Sequence, residues 1–438
     1  MTPNLRSFPG AVARALSLSG VAWTAFHGGV CPAAAQEVPE SLAGEQSAEA
    51  AKKQELLKDY NLRWGPVSFQ VLSSFHAEFT DNALNSALNR SSDEILRPEV
   101  RLNSYYPITD LNALTFSLGV NYEYYVKNTA LNTSTPLISP GSELALLLYV
   151  KNLRFRFHER FSYVESLYYG GAFSAETGQF INLNNIGTFG RFDNVAGFTA
   201  DWDLGAMVLS FGYDHENFIS TLSALDYLTR SSELLSLDAA FVLGPKFRSG
   251  LETKASWNAY DTEQLPDHWL ARLGPFAEVS PGEHVDLRAG GGYETADIPR
   301  TAGLQTDYTP YYAYARATHT LNDWMSYSLS AAHENQIGWI TANLETTYVG
   351  LSTTWKFIDK VELTPGFSYG LGKESGPNYV GLSWHEDYTY LQASFGVLYH
   401  LGERWTADLR YDYMRKTSDV AFYGFDRNRI NTGVTYRF

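Results

Sequence analysis

Arg154, Arg156, His158 and Arg160 stand at every second position of one stretch, and Arg427, Arg429 and Arg437 share a parity near the C-terminus. On a β-strand a spacing of two puts side chains on one face, so each stretch is a row of positive charge. Facing water in a narrow space, such a row attracts anionic solutes and raises their local concentration. Set among carboxylates, it pairs with them and stiffens a wall instead. Covalent and metal chemistry have no comparable support. The ten histidines are dispersed, H-E-x-x-H is absent, and local spacing fixes no paired carboxylates. One cysteine, Cys31, excludes an intrachain disulfide and a Cys-ligated zinc site. No enzyme, metal site or cofactor is expected.

The element that must carry these rows is a strand, and strands dominate the chain. In 67–79, Val67, Phe69, Val71, Phe75, Ala77 and Phe79 alternate with Gln70, His76 and Glu78. Leu114, Phe116, Leu118, Val120, Tyr122 and Tyr124 do the same against Thr115, Ser117, Asn121 and Glu123. No helical period competes. The pattern predicts strands at about 66–80, 95–106, 112–126, 142–151, 153–165, 190–202, 204–216, 231–243, 246–260, 268–280, 283–295, 308–320, 323–334, 341–358, 361–371, 386–401, 404–416 and 426–438. Tight connections such as Lys151-Asn152 and Gly244-Pro245 alternate with long ones such as 166–189 and 217–230. A β-sandwich has no reason to alternate in this way, whereas a membrane barrel puts short turns on one side and long loops on the other.

Aromatic placement agrees. Tyr106, Trp202, Trp355 and Trp405 fall on the apolar face beside short turns, and Tyr122, Tyr213, Trp257, Trp269 and Tyr311 beside long loops. Two such rings suit the two interfaces of a bilayer. The expected fold is therefore all-β, a transmembrane antiparallel up-and-down barrel of about eighteen strands, with sixteen as the alternative. Glu159 is the exception, because it shares a face with Phe155, Phe157, Phe161 and Tyr163. Either a bulge re-aims it or the register differs there.

Composition narrows the class from the other side. Of 438 residues, 18% are charged and 15% aromatic, with a formal charge of −15. Disorder is excluded by that aromatic content. Outside the N-terminus no apolar run approaches the ~20 residues of a helical span. Residues 1–35 carry Arg6 and Arg14, an apolar stretch from Ala15 to Phe26, and Ala33-Ala34-Ala35 before Gln36. This is the pattern of a secretory signal peptide cleaved after Ala35. Residues 36–60, rich in Glu, Ala and Lys, read as a periplasmic extension ending in a short helix, with a pore plug as the sharper alternative. The barrel then occupies 61–438.

The last strand carries alternating apolar residues that end in Val434, Tyr436 and Phe438. With the export signal and the barrel periodicity, 61–438 resembles the β-barrel porins of Gram-negative bacteria, in architecture rather than in a site motif. The resemblance implies an outer-membrane location, contact with outer-membrane lipid, and reading of Val434, Tyr436 and Phe438 by the barrel assembly machinery. It also implies a channel for small hydrophilic solutes.

The polar face supplies the pore wall. Its basic side chains are expected to include Arg97, Arg101, Arg154, Arg156, Arg160, Lys246, Arg248, Arg427 and Arg429, and its inward aromatics Tyr105, Tyr125, Tyr149, Tyr312 and Tyr314. A mixed, slightly basic wall predicts passive diffusion with a weak preference for anions. The alternative is an exit channel for an exported polysaccharide, with the tyrosines stacking on the rings of an anionic saccharide. No nucleic-acid partner is expected.

Overall fold

The computed structural model describes residues 60–165, 167–170, 184–188, 190–297, 308–336, 341, 343–377 and 382–438. The expected signal segment and most of the extension lie outside these. Eighteen long strands follow one another: β1 (Val67–Thr80), β2 (Asp93–Pro107), β3 (Ala113–Asn121), β4 (Leu137–Val150), β5 (Leu153–Val164) and β6 (Arg191–Asp203). Then come β7 (Met207–Ser220), β8 (Arg230–Gly244), β9 (Phe247–Tyr260), β10 (His268–Val279), β11 (Val285–Asp297) and β12 (Tyr311–Asn322). The last six are β13 (Met325–Gln336), β14 (Leu344–Ile358), β15 (Val361–Pro377), β16 (Ser383–His400), β17 (Trp405–Ser418) and β18 (Phe425–Arg437). Each pairs antiparallel with the next, and β1 pairs with β18 from Leu72↔Arg437 to Thr80↔Arg429, so the sheet closes. Closure leaves no long free edge. Among the described residues no helix is long and apolar enough to cross a membrane.

The turns at 151–152, 245–246, 323–324 and 359–360 lie at one end, and the connections at 81–92, 126–136 and 221–229 at the other. Both ends of the barrel chain, Val67 and Arg437, lie at the turn end. Val100, Phe157, Leu251, Leu329 and Leu409 are exposed on the outer face, while residues of opposite parity on the same strands, Glu99, His158, Glu252, Ser330 and Asp412, are buried inside. Trp202 and Trp405 mark the turn side of the outward face, and Trp257 and Tyr311 the loop side, all exposed.

Glu159 corrects both expectations made for it. Its partners are Ala196 on β6 and Leu144 on β4, and the β5–β6 register runs unbroken from Arg191↔Val164 to Trp202↔Leu153. The carboxylate therefore stays on the outward face, where the Asn194 side-chain amide donates to Glu159 Oε1. A bulge does occur in β4, between Ile138 and Ser142, but it serves Arg101, whose guanidinium donates to the carbonyls of Pro140 (3.2 Å) and Gly141 (3.5 Å).

Candidate functional site: the lumenal wall

Alternation along each strand turns the even positions of β5 and the odd positions of β2 and β18 inward, and the barrel seam sets β2 and β18 on either side of β1. Arg97 Nε donates to Glu123 Oε1 and its Nη1 to Glu78 Oε2, both at 2.8 Å. Glu78 on β1 also lies 3.6 Å from Arg429 on β18, and Arg429 lies 3.6 Å from Asp412 on β17. Arg410 Nε donates to Asp412 Oδ1 at 2.9 Å. The result is a ladder of alternating charge across the seam. The sequence places Arg97 near Arg429 with one strand between them, and that strand supplies the carboxylate they share.

The β5 row is paired in the same manner. Arg154 meets Asp201 at 2.6 Å, Arg156 meets Glu143 at 2.7 Å, and His158 Nε2 lies 2.8 Å from Asp214. Arg160 Nη2 lies 3.2 Å from His158 Nε2. On the far wall Arg248 and Arg288 share Glu278 at 2.8 and 2.7 Å, and Arg288 reaches Glu252 at 3.3 Å. Arg101 holds Glu99 at 2.9 Å. Arg427 is 2% exposed and donates to Asn85 Oδ1 of the 81–92 connection at 3.1 Å.

Lys246 is not on the wall. The β8–β9 register shifts between Val242 and Gly244, ending the alternation early, so Lys246 sits exposed in the connection. The expected basic excess narrows, because Glu78, Asp201, Glu334, Glu374 and Glu386 are buried inside as well, against Arg230 and Lys416 on the basic side. Strand parity could have shown Glu78, Asp201 and Glu334, which fall within predicted strands.

Tyr105, Tyr125, Tyr149, Tyr312 and Tyr314 all turn inward and are only 4%, 1%, 7%, 2% and 6% exposed. Tyr314 and Tyr312 donate to the two oxygens of Glu252, at 2.6 and 3.0 Å. They lie flat along the wall: the Tyr314 ring crosses Gly290, leaving no room there for a Cβ. Tyr388 and Tyr390 cover Gly372 and Gly370 in the same way. Glycine lets the ring approach the backbone, and the ring in turn covers a strand that lacks a side chain. These tyrosines form one cluster with Ala332, Leu344, Tyr348, Met414 and Phe425, which thickens the wall from β12 to β18.

A feature that sequence reasoning missed lies beside that cluster. Lys416 Nζ meets Glu386 Oε1 at 2.7 Å with both side chains fully buried, and Lys416 stands 4.3 Å over the Tyr388 ring. Predicted strand ends at 386 and 416 cut through this pair.

Gly366-Phe367-Ser368-Tyr369-Gly370 has the spacing of a hydrolase nucleophile elbow, yet it runs straight through β15, with Ser368 opposite Gly350 and Gln392. An elbow needs a sharp strand-to-helix turn, which is absent at this serine. Val434, Tyr436 and Phe438 line the outward parity of β18, and Tyr436 packs its ring 4.7 Å from Trp405.

Residues 271–438, which include β11 to β18, match the family model described as outer membrane protein beta-barrel domain. A search of curated protein sequences finds no match. Among solved structures, Pseudomonas aeruginosa OpdQ is 9% identical with a TM-score of 0.47, covering 86% of this chain and 100% of its own. The outer membrane protein OpdK from the same organism is 10% identical with a TM-score of 0.47, covering 84% and 99%. Outer-membrane expressed OmpT of Vibrio cholerae is 11% identical with a TM-score of 0.39, covering 86% and 99%.

Proposed function

We propose that this outer-membrane β-barrel is a channel for passive diffusion of small hydrophilic solutes, with at most a weak preference for anions. A closed sheet of this strand number encloses more space than side chains fill. The observation that carries the reading is the inner wall itself: a polar surface on which the ladder Glu123, Arg97, Glu78, Arg429 and Asp412 alternates in sign. Paired charges cancel at a distance, so a passing ion meets local attraction without a strong net field. The anion preference rests on the density of guanidinium groups, and their carboxylate partners keep it weak.

The polysaccharide-exit reading needs exposed ring faces on which sugars can stack. The five inward tyrosines are 7% exposed or less, with Tyr312 and Tyr314 committed to Glu252, which favours the diffusion reading. The wall is read as a conduit rather than an enzyme. Planar-bilayer recording with a salt gradient tests the proposal. Stable single-channel steps with a reversal potential near zero or slightly on the chloride side are expected. A silent protein, or strong cation selectivity, overturns it.

A further inference from the structure

We propose a divalent transition-metal site of the Zn²⁺ class on the outer rim of the barrel, formed by His385, Asp387 and Asp419. Each residue offers one ligand atom, and these atoms lie within 4.8 Å of one another. His385 and Asp387 are two apart on β16 and project from the same face. Asp419 follows the last residue of β17, and the ladder pair Tyr388↔Ser418 carries it opposite Asp387. Asp387 N–H donates to Asp419 Oδ1 at 2.9 Å, and Asp419 N–H to the Asp387 carbonyl at 3.1 Å. Those bonds hold the aspartate backbones together and leave Asp419 Oδ2 for a ligand. His385 Nε2 lies 3.3 Å from Asp387 Oδ2.

Two aspartates facing each other across a strand pair repel, and a bound cation relieves that repulsion. Lys373 on β15 is the ladder partner of Asp387 and supplies one positive charge nearby. The imidazole of His385 adds a nitrogen ligand that suits a transition metal. Imidazole with two carboxylates suits zinc and its neighbours better than calcium or magnesium, which take all-oxygen shells. Three protein ligands leave further positions for water, as in an open zinc site with ligand bonds of about 2.0–2.2 Å. All three side chains are exposed, so a cation reaches them directly. The cation would tie the loop ends of β16 and β17 together. No spacing in the sequence shows this, because the third ligand stands far from the first two along the chain.

The test uses the full chain without a histidine tag, folded in detergent and titrated with zinc chloride by calorimetry. One Zn²⁺ per chain is expected, unaffected by millimolar Ca²⁺, with a higher melting temperature in its presence. H385A, D387N and D419N should each weaken binding at least about tenfold, in line with loss of one of three ligands. K373A should tighten it. Heat-modified gel mobility checks that each variant is folded. No zinc binding by the folded chain, binding unchanged in the three variants, or equal binding of Ca²⁺ with H385A silent would each overturn the proposal. None of these outcomes depends on whether the barrel conducts.

Discussion

Asp81 Oδ1 accepts the backbone N–H of Asn428 at 2.8 Å, joining the residue that follows the first strand to the last strand of the barrel. Asp81 Oδ2 accepts the Asn428 side-chain amide at 2.7 Å, and Arg90 bridges Asp81 to Asp426. The loop end of the seam between β1 and β18 is therefore clamped by one carboxylate.

That clamp weakens in acid. Burial raises the Asp81 carboxyl, but hydrogen bonds from Asn428 and Arg90 outweigh it and hold it below its ordinary value of 3.8. A depressed value means that the stability it contributes is fully present above 3.8 and is lost as pH falls through the lower folded value. Urea unfolding in lipid vesicles should show an acid-side loss of stability that D81N flattens. At pH 7, D81N should cost about 1–2 kcal/mol, the scale of charge-assisted hydrogen bonds replaced by neutral ones.

Glu78 is the shared carboxylate of the lumenal ladder, and removing its charge leaves Arg97 and Arg429 with one partner fewer each. E78Q should raise the chloride-to-potassium permeability ratio by about twofold, because uncompensated lumenal cations concentrate anions. R429Q should move the reversal potential the opposite way. Identical reversal potentials in the two variants would show that this ladder lies off the ion path.

The packing of tyrosine on glycine predicts a coupled pair. A Cβ at Gly372 would collide with Cζ of Tyr388, so G372A must drive the ring off the wall. The ring covers the buried Lys416–Glu386 pair, so the cost should be about 1–3 kcal/mol, as for other overpacked positions. In Y388A the clash is gone, and adding G372A should cost far less than it does alone. Denaturation of the two single variants and the double variant measures this coupling.

Much of this molecule is legible in the sequence because a barrel wall has one structural variable, parity. Phe155 and Phe157 face out and Arg154 and Arg156 face in, and no tertiary packing overrides that assignment. Parity and the closure of an even-numbered sheet together suffice to bring Arg97 near Arg429. What parity does not carry is the end of a strand and the identity of a partner. The register shift at Gly244 takes Lys246 off the wall that parity assigns it. Glu386 and Lys416 stand at the predicted limits of their strands, yet β16 begins at Ser383 and β17 runs to Ser418, so both lie within the sheet. The burial of Tyr314 depends on a glycine one strand away, and both Tyr312 and Tyr314 reach a carboxylate three strands away, a relation no local window contains.

Glu159 gives the sharpest test of which face meets lipid. It lies on the outward face of β5, between Phe157 and Phe161 along the strand, with the Asn194 amide as its partner. A carboxylate in the hydrocarbon zone is unfavourable, less so than the ~2–4 kcal/mol assigned to Arg or Lys at the midplane. E159L should therefore raise the unfolding free energy in vesicles by about 1 kcal/mol, even though it leaves Asn194 with only the Arg160 carbonyl to bond. E159Q keeps a hydrogen-bonding partner for Asn194 without the charge and should fall between the two. If E159Q, which keeps the Asn194 hydrogen bond, instead destabilises the barrel, the face at β5 and β6 meets something other than lipid.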